Sequence, residues 1–218
     1  MRNLWSAAEL IAFEEEIKQA FLDQQIRGPI HLSGGNENQL IALFKHISVT
    51  DYVLTTYRNH YHCLLKGMSP EVLKRHILEG RSMYLCDWDY GILSSAIVGG
   101  MLPIAVGLAL GLHRRGSDDH VWVFCGDMAA ETGAFHEATK YAGTRGLPIT
   151  FVIEDNGLST NTPTFEAWGL PRKADNPLVS LGLTSPYTIG CEYGADVKYY
   201  QYERTVPHTG AGQWVTFS

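Results

Sequence analysis

The middle of the chain alternates apolar stretches of strand length with a longer stretch of helical character. Residues 120–125 and 149–154 are short apolar runs rich in β-branched and aromatic side chains, and residues 130–145 between them resemble a helix. Strands separated by a helix of this length are connected as parallel β-α-β units. We therefore predict an α/β fold, a parallel sheet with helices on both faces, whose ligands bind beyond the carboxyl ends of the strands.

Further elements follow from capping signals and apolar periodicity. The capping-box pattern of Ser6 and Glu9 opens an N-terminal helix within residues 1–27. In chain order, the next predictions are a helix over 37–46, a strand over 52–56, a helix starting at Ser69 and Pro70, and a helix over 96–113. Helix signals are few after about residue 157. The predicted organisation is one domain over residues 1–218, in which residues 170–218 form an irregular, strand-rich extension with short strands at 187–189, 198–202 and 213–217.

Composition argues against several classes of function. The net charge is −6, the pI is near 5.8 and no basic block occurs, so nucleic-acid binding is disfavoured. Residues 96–112 carry no charge, but they are interrupted by glycine and proline, and we interpret them as a helix buried on all sides instead of a membrane span. The N-terminus lacks an apolar signal core, which indicates a cytoplasmic protein. The cysteines form no CxxC pair and are predicted to be buried free thiols: Cys63, Cys86, Cys125 and Cys191.

Two oxygen-bearing side chains follow the two central strands. Asp127 comes after the first strand and Asn156 after the second. A parallel sheet would bring them to one edge, where a carboxylate and an amide oxygen suit Mg²⁺ supplemented by phosphate oxygens. Small residues at the start of the intervening helix would let a phosphate approach backbone N–H groups. In the alternative interpretation, Asp127 only caps the helix.

The segment GDMAAETGAFHEATKYAGTRGLPITFVIEDN resembles the alpha subunit of the thiamine-diphosphate-dependent first component of 2-oxo-acid dehydrogenase complexes. That family pairs a Gly-Asp-Gly motif with an Asn-Asn pair just under thirty residues later. The resemblance implies a thiamine-diphosphate-binding fold with a diphosphate-binding domain. It also implies that Mg²⁺ is bound by Asp127, Asn156 and the carbonyl of Leu158, and that Met128 and Ala129 offer backbone N–H groups to the diphosphate.

Two motif positions depart from this family. Met128 stands where the motif has glycine, and Asp155 stands where it has the first asparagine. A side chain is compatible with the backbone donor at Met128 only if φ is negative there and the side chain has room. The departures therefore concern the fine geometry more than the metal ligands.

A second segment, HLSGGNENQLIALFKHISVTDYVLTTYRNHYHCLLKG, resembles the family's His-Leu-x-x-Gly-x-Glu stretch and its Tyr-Arg-x-His motif. The matching residues are His31, Glu37, Tyr57, Arg58 and His60. The resemblance implies that Tyr57 and Arg58 lie on the diphosphate side of the cofactor. It assigns catalytic roles to His31 and His60, which would approach the reacting carbon or the substrate carboxylate.

Two weaker matches complete the resemblance, which covers about residues 28–165. The segment from Ser95 to Gly100 is similar to the family's Gly-x-Val-Gly stretch, so the backbones of Ala96 and Val98 would contact the aminopyrimidine; tight helix packing is the alternative. Beyond the covered part, residues 204–210 are similar to a shortened phosphate-closing turn, with His208 near the phosphates. A polar hairpin is the alternative, and we prefer it.

The resemblance implies one subunit of a two-chain enzyme. This chain would hold the diphosphate and Mg²⁺, and a separate beta-type subunit would supply the activating glutamate, in an α2β2 heterotetramer. The enzyme would decarboxylate a 2-oxo acid such as pyruvate and transfer the acyl or aldehyde unit. The alternatives are the N-terminal half of a split transketolase-like enzyme, a non-catalytic interaction subunit that retains the fold, and, least favoured, a Mg²⁺ phosphatase-like domain.

Overall fold

A computed structural model describes residues 5–169, 193–213 and 215. These residues belong to two compact units. Unit 1 comprises Met1–Ile97 and Tyr202–Ser218, and unit 2 comprises Val98–Gln201. The predicted C-terminal extension contributes to both units, since residues 193–201 belong to unit 2 and residues 202–213 to unit 1.

The described residues of unit 1 form four helices, two of which begin as their capping signals predict. They are α1 (Ala7–Leu22), α2 (Glu37–Phe44), α3 (His60–Lys66) and α4 (Pro70–Leu78). Ser6 and Glu9 form the complete capping box at the start of α1. The Ser69 hydroxyl accepts a hydrogen bond from the backbone N–H of Val72 at the start of α4.

The strands of unit 1 are short and lie in the order β2-β3-β1. They are β1 (Tyr52–Thr56), β2 (Cys86–Asp87) and β3 (Ile92–Ser95). β1 and β3 are parallel, with Val53 opposite Ile92, whereas β2 is antiparallel to β3. The core of the unit is apolar, and its fully buried side chains include Leu10, Ile17, Leu40, Val53, Leu64 and Ile92. Burial of this surface is the main favourable contribution to the stability of such a unit.

Unit 2 has the parallel strand–helix arrangement that the sequence predicts. Its larger elements are α5 (Met101–Arg115), β4 (Val121–Gly126), α7 (Gly133–Arg145), β5 (Ile149–Asp155) and β8 (Asp196–Gln201). β5 is fully buried and pairs in parallel with both β4 and β8. Its smaller elements are α6 (Asp127–Ala130), β6 (Leu158–Ser159), β7 (Thr162–Pro163) and α8 (Thr164–Trp168). The predicted α/β fold with a parallel sheet is confirmed.

The uncharged stretch over residues 96–112 differs from its prediction in two ways. The helix begins at Met101, because residues 96–100 form a loop in which Gly99 has a φ of +72°. It is also not buried on all sides, since Ile104 is 48% exposed and Pro103, Gly107 and Gly111 are exposed as well. In the part of the chain described here, no helix is both long enough and apolar enough to cross a membrane.

The thiol predictions are only partly correct. Cys63 and Cys125 are buried and free, and burial raises the pKa of both thiols. Cys86 is free but exposed, because it lies on the short strand β2. Cys191 and the strand predicted at 187–189 lie outside the described residues, as do Trp214 and residues 216–217 of the strand predicted at 213–217.

Candidate functional site

The strand register in unit 2 brings the two predicted metal ligands to one edge of the sheet. β4 and β5 run parallel, with Gly126 opposite Glu154. Asp127 and Asn156 therefore leave neighbouring strands at the same carboxyl edge, and such strands lie ~4.8 Å apart. The placement agrees with the spatial expectation from the sequence, while metal binding by these residues stays a prediction.

A single threonine ties Asp127 to the loop that follows Asn156. Asp127 is only 1% exposed, and one of its carboxylate oxygens accepts a hydrogen bond from the Thr164 hydroxyl. The backbone N–H of Thr164 donates to the carbonyl of Gly157 at 3.1 Å. Asn156 in turn accepts the backbone N–H of Leu158 at 2.9 Å through its side-chain oxygen. The carboxylate, the amide and the turn between them thus form one connected structure.

Asp155, one of the two departures from the family motif, accepts hydrogen bonds that stabilise the local structure. Its carboxylate accepts the backbone N–H of Gly157 at 2.8 Å and the hydroxyl of Tyr199 at 2.5 Å. Because Tyr199 lies on β8, the carboxylate links that strand to the turn that carries Asn156. The hydrogen bond from Tyr199 on β8 therefore accounts for an aspartate at this position, and the neighbouring Asn156 keeps its own hydrogen bond to Leu158.

Met128, the other departure, is also accommodated. Among the described residues other than glycine, only Gln24 and Thr160 have positive φ, so Met128 has the negative φ that a side chain requires. Its sulfur accepts the indole N–H of Trp168, which lies on α8. The backbone of Met128 and Ala129 therefore adopts the short helix α6 despite the missing glycine.

The donor chemistry of this edge fits a hard cation that shares its ligands with a diphosphate. Carboxylate, amide and carbonyl oxygens are the ligands that Mg²⁺ prefers, completed by phosphate or water. Over the described ranges, no group of three or more His, Cys, Asp or Glu side chains could hold a metal, so a cation here would also need other oxygen ligands, such as an amide, a main-chain carbonyl, a phosphate or water. Space is present, because a Cβ atom added at Gly126, Gly133 or Gly157 would meet no atom within 4 Å.

Four of the predicted residues in unit 1 come together: His31, Tyr57, Arg58 and His208. The ring centroids of His31 and Tyr57 are 4.4 Å apart, and those of His31 and His208 are 4.9 Å apart. The guanidinium carbon of Arg58 lies 5.9 Å from the centroid of the Tyr57 ring. Residues of the two N-terminal motifs thus lie together in the structure, and His208 joins them. We call these four residues the His31 cluster.

The carbonyl oxygen of His208 fixes the orientation of two members of the His31 cluster. It lies 2.7 Å from Nδ1 of His31 and accepts Nη2 of Arg58 at 3.2 Å. A carbonyl can only accept, so Nδ1 of His31 carries a proton. Burial, with Arg58 and His208 contributing, lowers the pKa of His31 to about 4, although its hydrogen bond to the carbonyl acts in the opposite direction. At neutral pH the ring is uncharged, and its Nε2 has the lone pair of a hydrogen-bond acceptor.

The segment from Glu203 to Gly210 runs along residues 30–35. The backbone N–H of Gly210 donates to the carbonyl of Ile30 at 2.9 Å. At Gly35, which has a φ of +97°, an added Cβ would lie 1.9 Å from the carbonyl oxygen of Glu203. The preferred prediction of a polar hairpin for residues 204–210 is wrong, because no strand pairing occurs in this described segment. Instead, the backbone of this segment lies close to the backbone of residues 30–35.

His60 lies in a different environment from His31. It is fully buried, its Nδ1 lies 3.0 Å from both carboxylate oxygens of Glu14, and its Nε2 lies 2.9 Å from the Ser82 hydroxyl. A substrate could reach either ring nitrogen only by displacing one of these partners. Catalysis by His60 stays a prediction that would require this network to open.

Glu14 contacts the predicted site residue His60, but the sequence analysis did not include it among the candidate site residues. It is 3% exposed, although it is a carboxylate. The available signal was its position on the apolar stripe of α1, four residues after Leu10 and three before Ile17. A charged side chain on the buried face of a helix needs a partner inside the protein.

Ala96 and Val98 lie in the exposed loop between β3 and α5. Val98 is 63% exposed, and Ala96 is exposed too. The alternative of tight helix packing is wrong for both residues, since neither lies in a helix or is buried. A role for their backbone groups in binding an aminopyrimidine stays a prediction.

Comparisons with known proteins agree on one family. The model of the dehydrogenase E1 component matches residues 6–176. The alpha subunit of acetoin:2,6-dichlorophenolindophenol oxidoreductase from Cupriavidus necator is 32% identical over 160 residues, covering 69% of this chain and 48% of that protein. The pyruvate dehydrogenase E1 component subunit alpha of Rickettsia bellii is 32% identical over 162 residues, covering 69% and 49%. The human testis-specific mitochondrial form is 31% identical over 161 residues, covering 68% and 41%. The chain thus spans about half the length of the bacterial relatives that it matches.

Proposed function

The chain belongs to the dehydrogenase E1 component family, and on this premise we propose that it is the diphosphate- and Mg²⁺-binding subunit of a two-chain, thiamine-diphosphate-dependent enzyme. The enzyme decarboxylates a 2-oxo acid such as pyruvate and transfers the resulting acyl or aldehyde unit. The observation that carries this proposal is the parallel register of β4 and β5, which puts Asp127 and Asn156 at one sheet edge.

Unit 2 holds the metal and the diphosphate in this proposal. Asp127, Asn156 and the carbonyl of Leu158 bind Mg²⁺, and the backbone N–H groups of Met128 and Ala129 bind the diphosphate. When bound, thiamine diphosphate would supply the nucleophilic carbon and the electron sink for decarboxylation. Thr164 orients the Asp127 carboxylate, so the chain does not have to order this ligand when the metal arrives.

Unit 1 provides charge and hydrogen bonding. Arg58 donates to the carbonyls of Leu32 and His208, which fixes the plane of its guanidinium. With Tyr57 it lies on the diphosphate side of the cofactor in this proposal, and His208 belongs to the same surface. The uncharged His31 presents Nε2 as an acceptor, which suits a group that takes a proton or a hydrogen bond from the substrate.

The proposal includes a second chain. The named relatives are alpha subunits, and we infer a beta-type partner that supplies the activating glutamate in an α2β2 heterotetramer. The test is 2-oxo-acid decarboxylation by the purified chain with and without a candidate beta-type partner. Full turnover by a monomer of this chain alone would refute the two-chain arrangement.

Cofactor binding is tested by calorimetry with thiamine diphosphate in the presence and absence of Mg²⁺, on the chain together with its partner. We expect binding that depends on Mg²⁺ and that weakens on the order of 100-fold in Asp127→Ala, since a metal ligand is removed. The matched control is Asp118→Ala, because Asp118 is exposed just before β4, at the opposite end of the strand. An absence of binding by the wild-type pair would rule the proposal out.

The relatives favour a substrate without a phosphate over the keto sugar phosphates of a split transketolase, because they are named as enzymes of pyruvate, a 2-oxo acid, and of acetoin, a hydroxyketone. The accommodation of Met128 and Asp155 weakens the case for a non-catalytic subunit, because these two departures were part of the argument for it. Assays with pyruvate, branched 2-oxo acids and a keto sugar phosphate side by side would distinguish the three alternatives.

A further inference from the structure

We propose that two carboxylates, Glu14 and Glu37, act as a pair of clamps that position residues 31–37 against the first turn of α3, and that Glu14 is a positioning residue for His31. Any effect of this positioning on cofactor binding rests on the proposed function. The positioning itself can be measured on this chain whatever reaction it takes part in.

The first clamp is formed by Glu14. Its Oε1 accepts the backbone N–H of Ser33 at 2.9 Å, and both of its oxygens lie 3.0 Å from Nδ1 of His60. A carboxylate that is 3% exposed would be costly without such partners. The burial of Glu14 is therefore compensated only while Ser33 and His60 are both in place.

The second clamp repeats this arrangement with Glu37. One carboxylate oxygen of Glu37 accepts the backbone N–H of Gly35 at 2.9 Å and the Tyr61 hydroxyl at 3.0 Å. The pKa of Tyr61 is raised, by burial first and then by the charges of Glu14 and Glu37, so its hydroxyl remains a donor. Each carboxylate thus joins one backbone N–H of residues 31–37 to one side chain at the start of α3.

The clamps act close to the predicted site residues. Ser33 lies two positions after His31, and His60 lies two positions after Arg58. One buried carboxylate therefore holds two of the three segments that contribute to the His31 cluster, the third being the segment of His208. Loss of Glu14 would weaken the connection between these two segments and leave the Glu37 clamp and the Arg58–Leu32 hydrogen bond in place, so we expect a change in the distance from Nδ1 of His31 to the carbonyl of His208.

The Glu14–His60–Ser82 chain has the connectivity of a nucleophile, base and carboxylate triad. Nε2 of His60 lies 2.9 Å from the Ser82 hydroxyl, but Ser82 is 2% exposed and His60 is fully buried. A nucleophile must reach its substrate, so this burial argues against hydrolysis. The Asn59 side chain also donates to the Ser82 carbonyl at 2.7 Å, which holds the far end of the network in place. Positioning is the role that the geometry supports.

The test is residue-resolved amide hydrogen exchange by NMR on the full chain, comparing wild type, Glu14→Gln and Glu14→Ala. We expect exchange of the Ser33 amide to accelerate about tenfold in Glu14→Gln and up to about 100-fold in Glu14→Ala, because a bond to a charged acceptor is weakened or lost. The ¹⁵N shift of Nδ1 of His31 should move as well. Glu14→Gln retains the volume of the side chain and decides the question if Glu14→Ala does not fold.

The matched control is Glu15→Gln, the same chemical change at the next residue of α1. The Glu15 side chain is 62% exposed and pairs with Lys18 in its own helix. In Glu15→Gln we expect the amide exchange rates of residues 31–37 and the ¹⁵N shift of Nδ1 of His31 to equal those of wild type. Tyr61→Phe isolates the second clamp and should accelerate exchange of the Gly35 amide but not of the Ser33 amide.

The proposal is overturned if Glu14→Gln and Glu15→Gln have the same exchange rates over residues 31–37 and the same His31 shift. Calorimetry with thiamine diphosphate and Mg²⁺ separates this outcome from failure of the proposed function. If wild type with its partner does not bind the cofactor, the proposed function fails, while the exchange rates still decide whether Glu14 positions His31.

Discussion

The two units organise their candidate residues in different ways. In unit 2, Asp127 and Asn156 follow two adjacent parallel strands, and their closeness is set by the register of the sheet. In unit 1, the His31 cluster lies in loops, one of which leads into α3, and it is held by hydrogen bonds to backbone groups. Sheet register is a repeating property that a sequence pattern can express, whereas a loop cluster depends on individual contacts.

The two units also differ in how far apart along the chain their hydrogen-bonded partners are. The hydrogen bond between Thr164 and Asp127 joins residues 37 positions apart, while that between His31 and His208 joins residues 177 positions apart. Closing a longer loop costs more conformational entropy, although the cost rises slowly with length. We therefore expect the loop cluster of unit 1 to be the more sensitive of the two to single changes.

The largest effect should come from Gly35→Ala in unit 1. The new Cβ would lie 1.9 Å from the Glu203 carbonyl oxygen, and the φ of +97° disfavours any side chain. We expect a loss of ~4 kcal/mol in the free energy of unfolding, measured by urea denaturation, because backbone must move.

Gly67→Ala is the control for Gly35→Ala. Gly67 has a similar φ of +109°, but an added Cβ there meets nothing within 4 Å. Its cost should be limited to the backbone conformation, ~1–2 kcal/mol. Equal losses in the two variants would mean that the contact with Glu203 contributes nothing.

A smaller effect is expected from Thr164→Val in unit 2. The change removes the donor to the buried Asp127 carboxylate and retains the backbone N–H that binds Gly157. We expect a loss of ~2 kcal/mol in urea denaturation, since a buried charged acceptor loses a partner. Thr144→Val is the control, because the exposed Thr144 bonds only within its own helix and should change stability by less than ~0.5 kcal/mol. A loss in Thr164→Val no greater than in this control would contradict the link between Asp127 and its loop.

The smallest effect concerns pH and returns to unit 1. The pKa of His31 falls from 6.5 to about 4 in the folded chain, so between these values the unfolded chain binds more protons at this residue. The stabilising contribution is complete above pH 6.5 and is lost as the pH falls towards 4. His31→Asn retains a donor for the His208 carbonyl. It should reduce the total change in the free energy of unfolding across this window by ~1 kcal/mol, which is less than the full pKa shift corresponds to because water partly screens the ring.

The charged and titratable groups near His31 are Arg58, His208, His60 and Tyr57. The pKa of His208 is lowered too, by burial and by the charges of Arg58 and Arg204, so part of the slope should remain in His31→Asn. His46→Asn, at an exposed histidine of unit 1, is the control for the loss of a histidine. An unchanged slope in His31→Asn would show that the ring is not held uncharged by the fold.

The sequence predicted what depends on repeating or local signals. The capping residues Ser6 and Ser69 gave the starts of α1 and α4, and the apolar runs gave β1, β4 and β5. The ends of β4 and β5 then located Asp127 and Asn156 without any knowledge of tertiary contacts.

The sequence did not predict elements that lack such signals. Asn59 makes no side-chain cap at the start of α3, and α6 has four residues with no capping side chain. Glu14 was not included in the site because its partners are the backbone of Ser33 and the side chain of His60, neither of which a pattern along α1 can reveal. The hydrogen-bonding role of the His208 carbonyl was missed for the same reason, since a main-chain acceptor carries little sequence information.

The 177-residue separation between His31 and the His208 carbonyl has a consequence for the order of events during biosynthesis. A nascent chain emerges from the ribosome with its N-terminus first. The strands β4 and β5 can pair once residue 155 has been released, but residues 30–35 cannot gain their last partners until residue 210 has emerged. The earliest translated half of unit 1 is therefore completed last, and a chaperone that recognises incomplete structure would find it there.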